Sequence, residues 1–198
     1  MTKTNYNTIP VDQDRLEDII SVLNTGGLLL YPTDTIWGVG CDATNPQAVE
    51  KVYALKQRDR SKPCILLVDS VATLKDYVRE VHPRVDNLLT YHTRPLTVVY
   101  PQAQQLPPIS TSADGSVAIR VALGGFCKSL LQAYGKPLIS TSANISTEPF
   151  PANFGEISSA IIRGVDYVVK AEQYDKTTRE PSVIVRVDGE GELEFLRS

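Results

Sequence analysis

The chain has 198 residues, 42% of them apolar and 22% charged, which is ordinary for a globular protein with one sizeable core. Twenty basic against 23 acidic residues leave a net charge of −3, which excludes a surface given over wholly to nucleic acid but not a local basic patch. Three widely spaced cysteines (Cys41, Cys64, Cys127), no Cys-x-x-Cys and only two histidines argue against a zinc site, so no protein metal site is expected.

Residues 1–10 read as a polar lead-in. Asp12 or Asp14 is expected to cap a helix whose apolar residues Leu16, Ile19, Ile20 and Leu23 recur at helical spacing and stop at Gly26-Gly27. Leu28-Leu29-Leu30-Tyr31 follows as a run suited to a strand buried on both faces. Pro32 stops it, Thr33-Asp34-Thr35 lies just beyond its C-terminal end, and Val39 to Ala43 continues as a second strand. Asn45-Pro46 has the form of a helix start, a capping side chain and then proline at the first helical position. That helix turns Val49, Val52 and Tyr53 inward. Cys64 to Val68 reads as a strand, Asp69-Ser70 as the cap of a short helix through Tyr77, and His82 to His92 as helical.

Leu96 to Tyr100 and Val117 to Val121 read as strands on either side of a Pro- and Gln-rich loop and a polar turn. Gly124-Gly125 opens a helix to about Tyr134. Leu138-Ile139 is a short strand running into a hydroxyl-rich turn, Ser140-Thr141-Ser142-Ala143-Asn144. Asn153 and Glu156 have the spacing of a capping box for a helix ending at Gly164. Tyr167 to Val169, Val183 to Val187 and Leu193 to Leu196 complete the strands, with 171–181 a mobile loop between them. The fold class is therefore a single α/β domain over 1–198 with a mixed sheet. No apolar run has the length of a signal-peptide core or a membrane span, so a cytoplasmic location with no membrane association is expected.

Three constellations carry chemistry. From Glu50 to Lys62 five cations oppose two acids, a +3 segment in a −3 chain. Alternate residues of an extended tail, Lys56 and Arg58 or Arg58 and Arg60, would aim at one side and suit a polyphosphate, although cations at a helix end also offset its dipole. Thr33-Asp34-Thr35 and Ser140 to Asn144 both follow buried strands, where open α/β sheets bind ligands. Arg120 sits in an apolar strand beside Ala118 and Ala122, either as an exposed edge charge or as a buried fork for a carboxylate. Phosphate-loop, dinucleotide and nucleophile-elbow motifs are missing from the sequence.

Tyr31-Pro32-Thr33-Asp34-Thr35-Ile36-Trp37-Gly38, Lys56-x-Arg58, Pro95-Leu96-Thr97, Ala118-Ile119-Arg120-Val121, Ser142-x-Asn144 and Pro181-Ser182-Val183-Ile184-Val185 occur here in an ordered set. In this the chain resembles the YrdC-type family of L-threonylcarbamoyladenylate synthases from about Val11 to Arg197. The resemblance implies a twisted α/β sheet, flanked by helices, with a concave and positively lined cavity. It also implies an enzyme, a nucleotidyltransferase that makes threonylcarbamoyl-AMP and pyrophosphate from L-threonine, bicarbonate or CO2, and ATP. The product would serve threonylcarbamoyladenosine formation on tRNA by downstream tRNA-modifying proteins.

Carried over by position, the resemblance implies that Thr33, Arg120, Ser140 and Ser182 bind threonine. Lys56, Arg58, Ser116, Ser142, Asn144 and Arg197 would bind ATP, Lys56 and Arg58 as the catalytic cations. Mg2+ would be held mainly through the ATP phosphates. The reaction needs no protein nucleophile, and His82 and His92 are expected to be surface or structural groups. An alternative reading of the +3 segment is an RNA-binding module of the same fold without synthase activity.

Overall fold

The computed structural model describes residues 14–187 and 192–197; the lead-in over 1–10 and Asp12 lie outside them. Helices α1 (Leu16–Asn24), α2 (Pro46–Lys56), α3 (Val71–Tyr77), α4 (Pro83–Tyr91), α5 (Gly125–Tyr134) and α6 (Ser159–Gly164) surround a single sheet. Its strands are β1 (Leu29–Tyr31), β2 (Gly38–Asp42), β3 (Ile65–Val68), β4 (Leu96–Tyr100), β5 (Val117–Val121), β6 (Leu138–Ser142), β7 (Tyr167–Val168), β8 (Val183–Val187) and β9 (Leu193–Arg197). They lie in the order β7-β1-β2-β6-β3-β5-β4-β8-β9. The pairs β1–β7, β3–β5 and β4–β8 are parallel and the rest antiparallel, so the sheet is mixed.

The two faces of the sheet are covered unequally, and that inequality makes the site. Helices α2, α3, α4 and α6 pack Val49, Val52, Leu74, Leu89 and Ile161 onto one face, against Val39, Leu66, Val98, Ile119 and Ile139. On the other face α1 and α5 bring Ile19, Leu23, Leu130 and Leu131 against Leu29, Tyr31, Leu67 and Leu138. Farther along that second face the sheet turns from apolar to polar. In β6, Leu138 belongs to the α1–α5 cluster and Ile139 to the opposite one, and Ser140 and Ser142 follow on the Leu138 side. In β5, Val117, Ile119 and Val121 face the main core, which sends Ala118 and Arg120 to the same uncovered side.

Local signals hold in most places. Asn45 caps α2 by accepting from the amides of Gln47 and Ala48, with Pro46 at the first position. Ser70 caps α3 through the Thr73 amide, and Gly135 ends α5 in the left-handed region. His82 caps α4, its Nδ1 accepting from the Arg84 amide, while the His92 ring meets the Leu89 carbonyl. The three cysteines are free and buried.

Four expectations are corrected. Asp14 does not cap α1; Arg15 occupies the cap position without a side-chain bond. The Asp14 carboxylate, 4% exposed, instead accepts from the Tyr167 hydroxyl and the amides of Lys170 and Ala171, a long-range contact that local spacing cannot reveal. Asn153 and Glu156 belong to a single 3-10 turn at Phe154–Glu156, and the following helix is capped by Ser158. Glu156 reaches the Ala152 amide and the Asn153 side chain, not the amide of its own cap residue. Ser140 to Ser142 are strand rather than turn, because β2 pairs with all three and β3 pairs with Ser140 from the other side. Residues 171–181 are tied down by Arg179, which donates to the Thr33 carbonyl at 2.8 Å and pairs with Glu172 and Asp175.

Candidate active site

The uncovered part of the sheet floors a cavity of about 380 Å³, within the ordinary range for a small-molecule site. Its floor crosses the sheet as a row: Gly38 from β2, Ser140 and Ser142 from β6, Ile65 from β3, Ala118 and Arg120 from β5, Val99 from β4 and Ile184 from β8. The register sets these residues side by side, Gly38 opposite Ser142, Ser140 opposite Ile65, Ile65 opposite Ala118, and Ala118 opposite Val99. The Thr33–Trp37 turn forms one wall, and Ser182 with Arg197 the opposite one.

Small residues make room. A Cβ on Gly38 would lie 3.0 Å from the Ser140 Oγ and 3.5 Å from the Thr33 Cγ2, so the glycine leaves open the space between those two hydroxyl residues. Farther along the same face of β2, a Cβ on Gly40 would stand 2.2 Å from the Ile139 carbonyl and 2.8 Å from the Tyr31 ring. Tyr31 packs there fully buried, its phenol pushed well above the usual tyrosine range by burial.

The charge of the cavity is one-sided. Arg58, Arg120 and Arg197 line it, and no carboxylate among the described residues does. Arg58, half-buried, donates to the carbonyls of Lys62 and Pro63. Arg197 donates to the carbonyl and hydroxyl of Ser182, whose hydroxyl also bonds to that of Thr97. Burial first, then the neighbouring Arg120, lowers the Arg197 pKa from its usual range. Three guanidiniums facing one partly desolvated space form a receptor for an anion.

Arg120 is the buried fork of the two alternatives open in the sequence, 4% exposed. Its Nη1 donates to the Thr35 hydroxyl at 3.0 Å, and its Nη2 stands 3.0 Å from the Asp34 carboxylate. Thr33 Oγ1 donates to the Ile36 carbonyl, accepts from the Thr35 amide and meets the Thr35 hydroxyl at 2.9 Å. Thr33, Thr35 and Arg120 thus form one hydrogen-bonded chain along the cavity edge.

Seven expected residues meet at this cavity: Thr33, Arg58, Arg120, Ser140, Ser142, Ser182 and Arg197. Lys56, Asn144 and Ser116 are not among its lining. Lys56 is 1% exposed, and its ammonium donates to the carbonyls of Ser142 and Asn144, bracing the end of β6 from behind. Burial, followed by the nearby Arg58 charge, pulls its pKa down to about 8. The expected common direction of Lys56 and Arg58 is lost because Lys56 is still helical and Gln57 is left-handed, which swings Arg58 to another side. Ser116 lies one residue before β5, in a turn held by Asp114 and Ser112.

The +3 segment is also not a free basic patch. Lys51 donates to the Gly26 carbonyl, Arg60 pairs with Glu50, Arg58 serves the cavity and Lys56 is inside. Four residues outside the expected binding set also matter. Asp34 and Thr35 hold Arg120, Arg179 holds Thr33, and Phe150 stands 47% exposed at the cavity rim. The Thr-Asp-Thr triplet was the available signal for the first two; nothing local pointed to Arg179.

A mixed sheet with one face left open over converging arginines and hydroxyls defines an α/β domain built around an anion-receiving cleft. Residues 21–198 match the family model Sua5/YciO/YrdC, described as telomere recombination, and the chain belongs to this family. It is 35% identical over 161 residues to the threonylcarbamoyl-AMP synthase of Pseudoalteromonas translucida (strain TAC 125), covering 80% of this chain and 86% of that protein. E. coli YciO superposes with a TM-score of 0.80 at 19% identity, over 92% of this chain and 88% of that one. P. abyssi Sua5 in complex with L-threonine gives 0.81 at 22% identity, over 92% of this chain and 53% of that one. The two structural likenesses establish the fold. No helix among the described residues is long and apolar enough to cross a membrane, and no group of three His, Cys, Asp or Glu there is placed to hold a metal ion.

Proposed function

We propose that this protein is an L-threonylcarbamoyladenylate synthase, condensing L-threonine, bicarbonate or CO2, and ATP into threonylcarbamoyl-AMP and pyrophosphate. The observation that carries the reading is the cavity in which Thr33, Arg120, Ser140 and Ser182 meet Arg58, Ser142 and Arg197, with no carboxylate among the described lining residues. Threonylcarbamoyl-AMP synthases at about a third identity over most of the chain support the same reaction.

The division of labour follows from charge. Arg120 is already balanced by Asp34, so that end presents directed N–H groups to a zwitterion such as threonine. Arg58 and Arg197 have no acidic partner among the described residues of the cavity lining and suit a polyphosphate. In the reaction the threonine amine adds to CO2 with loss of a proton. A carbamate oxygen then bonds to the α-phosphorus as the bond to pyrophosphate breaks. Catalysis of this kind rests on holding two reactants in line and on stabilising phosphate charge. Lys56 and Asn144 contribute by shaping the β6 end, with Lys56 behind the floor rather than on it.

Mg2+ would come with the nucleotide, since a lining without carboxylates leaves the phosphate oxygens as its hard ligands. The product would pass to tRNA-modifying proteins. The test is release of pyrophosphate from ATP, Mg2+ and bicarbonate with labelled threonine. Release that depends on threonine is expected; release independent of it, or none, overturns the reading.

A further inference from the structure

Asp34 has no place in the reaction as a base, yet it is the acid in contact with the cavity's most buried cation. It stands in the turn after β1 with its side chain 9% exposed, against an Arg120 side chain that is 5% exposed. One carboxylate oxygen lies 3.0 Å from Arg120 Nη2. The other accepts from the Leu123 amide at 3.1 Å, just beyond the end of β5. Asp34 therefore holds both the guanidinium and the backbone of the strand that carries it. Thr35 takes Nη1 at 3.0 Å from the adjoining position of the same turn.

An arginine has five N–H groups in one plane. The hydrogen bond from Nη1 and the ion pair at Nη2 together fix the plane; Nε, like the Asp34 oxygen that faces Nη2, is buried without a hydrogen-bond partner among the described residues. An unpaired N–H in such a place costs free energy unless something meets it. We propose that Asp34 is a positioning residue that, with Thr35, locks the Arg120 plane so that its remaining donors are directed at the amino-acid end of the cavity before substrate arrives. Its second effect is to cancel the Arg120 charge. That end then selects a zwitterion by geometry, and the polyanion is drawn to Arg58 and Arg197. The kinetic part of this proposal rests on the threonine reading above; the structural part stands on the geometry alone.

Asp34→Asn keeps the shape and the acceptor for Leu123 but removes the counter-charge, and Asp34→Ala removes both. Side-chain 15N NMR of Arg120 should show slowed guanidinium rotation in the wild type and averaged signals in Asp34→Asn. The threonine KM should rise about tenfold to a hundredfold, the range for a misplaced binding group, while the ATP KM moves less than about twofold. Unchanged Arg120 signals overturn the proposal, as does a parallel rise in both KM values with a fall in Tm. If the wild type releases no pyrophosphate in response to threonine, the synthase reading fails by itself. The Arg120 spectra then decide: hindered in the wild type and free in the variant supports the lock, and identical spectra reject it.

Discussion

The ammonium of Lys56 donates to the main-chain carbonyl of Asn144 at 2.5 Å, joining the last turn of α2 to a segment 88 residues further along the chain. It also reaches the Ser142 carbonyl. Among the described residues no carboxylate is bonded to it; its charge is held by backbone dipoles in a place almost without water. Removing it exposes two buried carbonyls to an apolar gap. Lys56→Met should therefore lower stability by about 2 kcal/mol, the scale for leaving buried acceptors unsatisfied, with the relief of charge burial set against it. Urea denaturation checks this; a loss below about 1 kcal/mol would remove the bracing role.

The same lysine gives a pH signature. Its folded-state pKa, about 8, lies below the 10.5 of the unconstrained side chain, so the unfolded chain holds the proton more tightly. Between these values folding releases a proton, and stability rises with pH. Below about pH 8 both states are protonated, and the unfavourable burial of charge is fully present. The stability difference between wild type and Lys56→Met should therefore widen from about pH 8 to 10.5, measured as paired urea curves. A constant difference would mean that Lys56 titrates normally.

Gly38 and Gly40, two residues apart in β2, should respond in opposite ways. The Cβ of Gly40→Ala would run into the Ile139 carbonyl and the buried Tyr31 ring, neither of which has room to move. A loss of about 3 kcal/mol or insoluble expression is expected. The Cβ of Gly38→Ala would enter the cavity between Ser140 and Thr33. Stability should change by less than about 1 kcal/mol while the threonine KM rises severalfold. Thermal melts and kinetics on both variants separate the two outcomes.

Arg179 is the side chain through which the 171–181 segment donates to the carbonyl of Thr33. Arg179→Ala should speed amide hydrogen exchange in that segment and around Thr33 by at least about tenfold, with exchange in β5 unchanged. Exchange that stays slow would show that Asp14, which holds the amides of Lys170 and Ala171, suffices to anchor the segment.

Removing the unbalanced cations should act on the nucleotide. Arg58→Ala and Arg197→Ala are each expected to raise the ATP KM about tenfold and leave the threonine KM within about twofold. Equal effects on both substrates would contradict a division of the cavity by charge.

Much of this molecule can be read along the chain. Leu28 to Tyr31 and Cys64 to Val68 declare buried strands by unbroken apolarity, and Asn45-Pro46 declares its helix by cap chemistry. Alternation places Ala118 and Arg120 on one face of β5, and the order of motifs along the chain carries the family resemblance. These are properties of neighbours in sequence, where distance is set by the backbone.

The tertiary structure decided which face mattered. Alternation is symmetric, and only the unequal covering of the sheet, α2, α3, α4 and α6 on one side and α1 and α5 on part of the other, turns Arg120 toward a cavity. It also divided the Lys56-x-Arg58 pair, one cation inside and one on the site, because a left-handed residue between them breaks the extended spacing. Asp34 with Arg120, Asp14 with Lys170 and Arg179 with Thr33 are contacts across 86, 156 and 146 positions. Their partners are chosen by how strands from distant parts of the chain come to lie together, and local residue spacing carries no record of that choice.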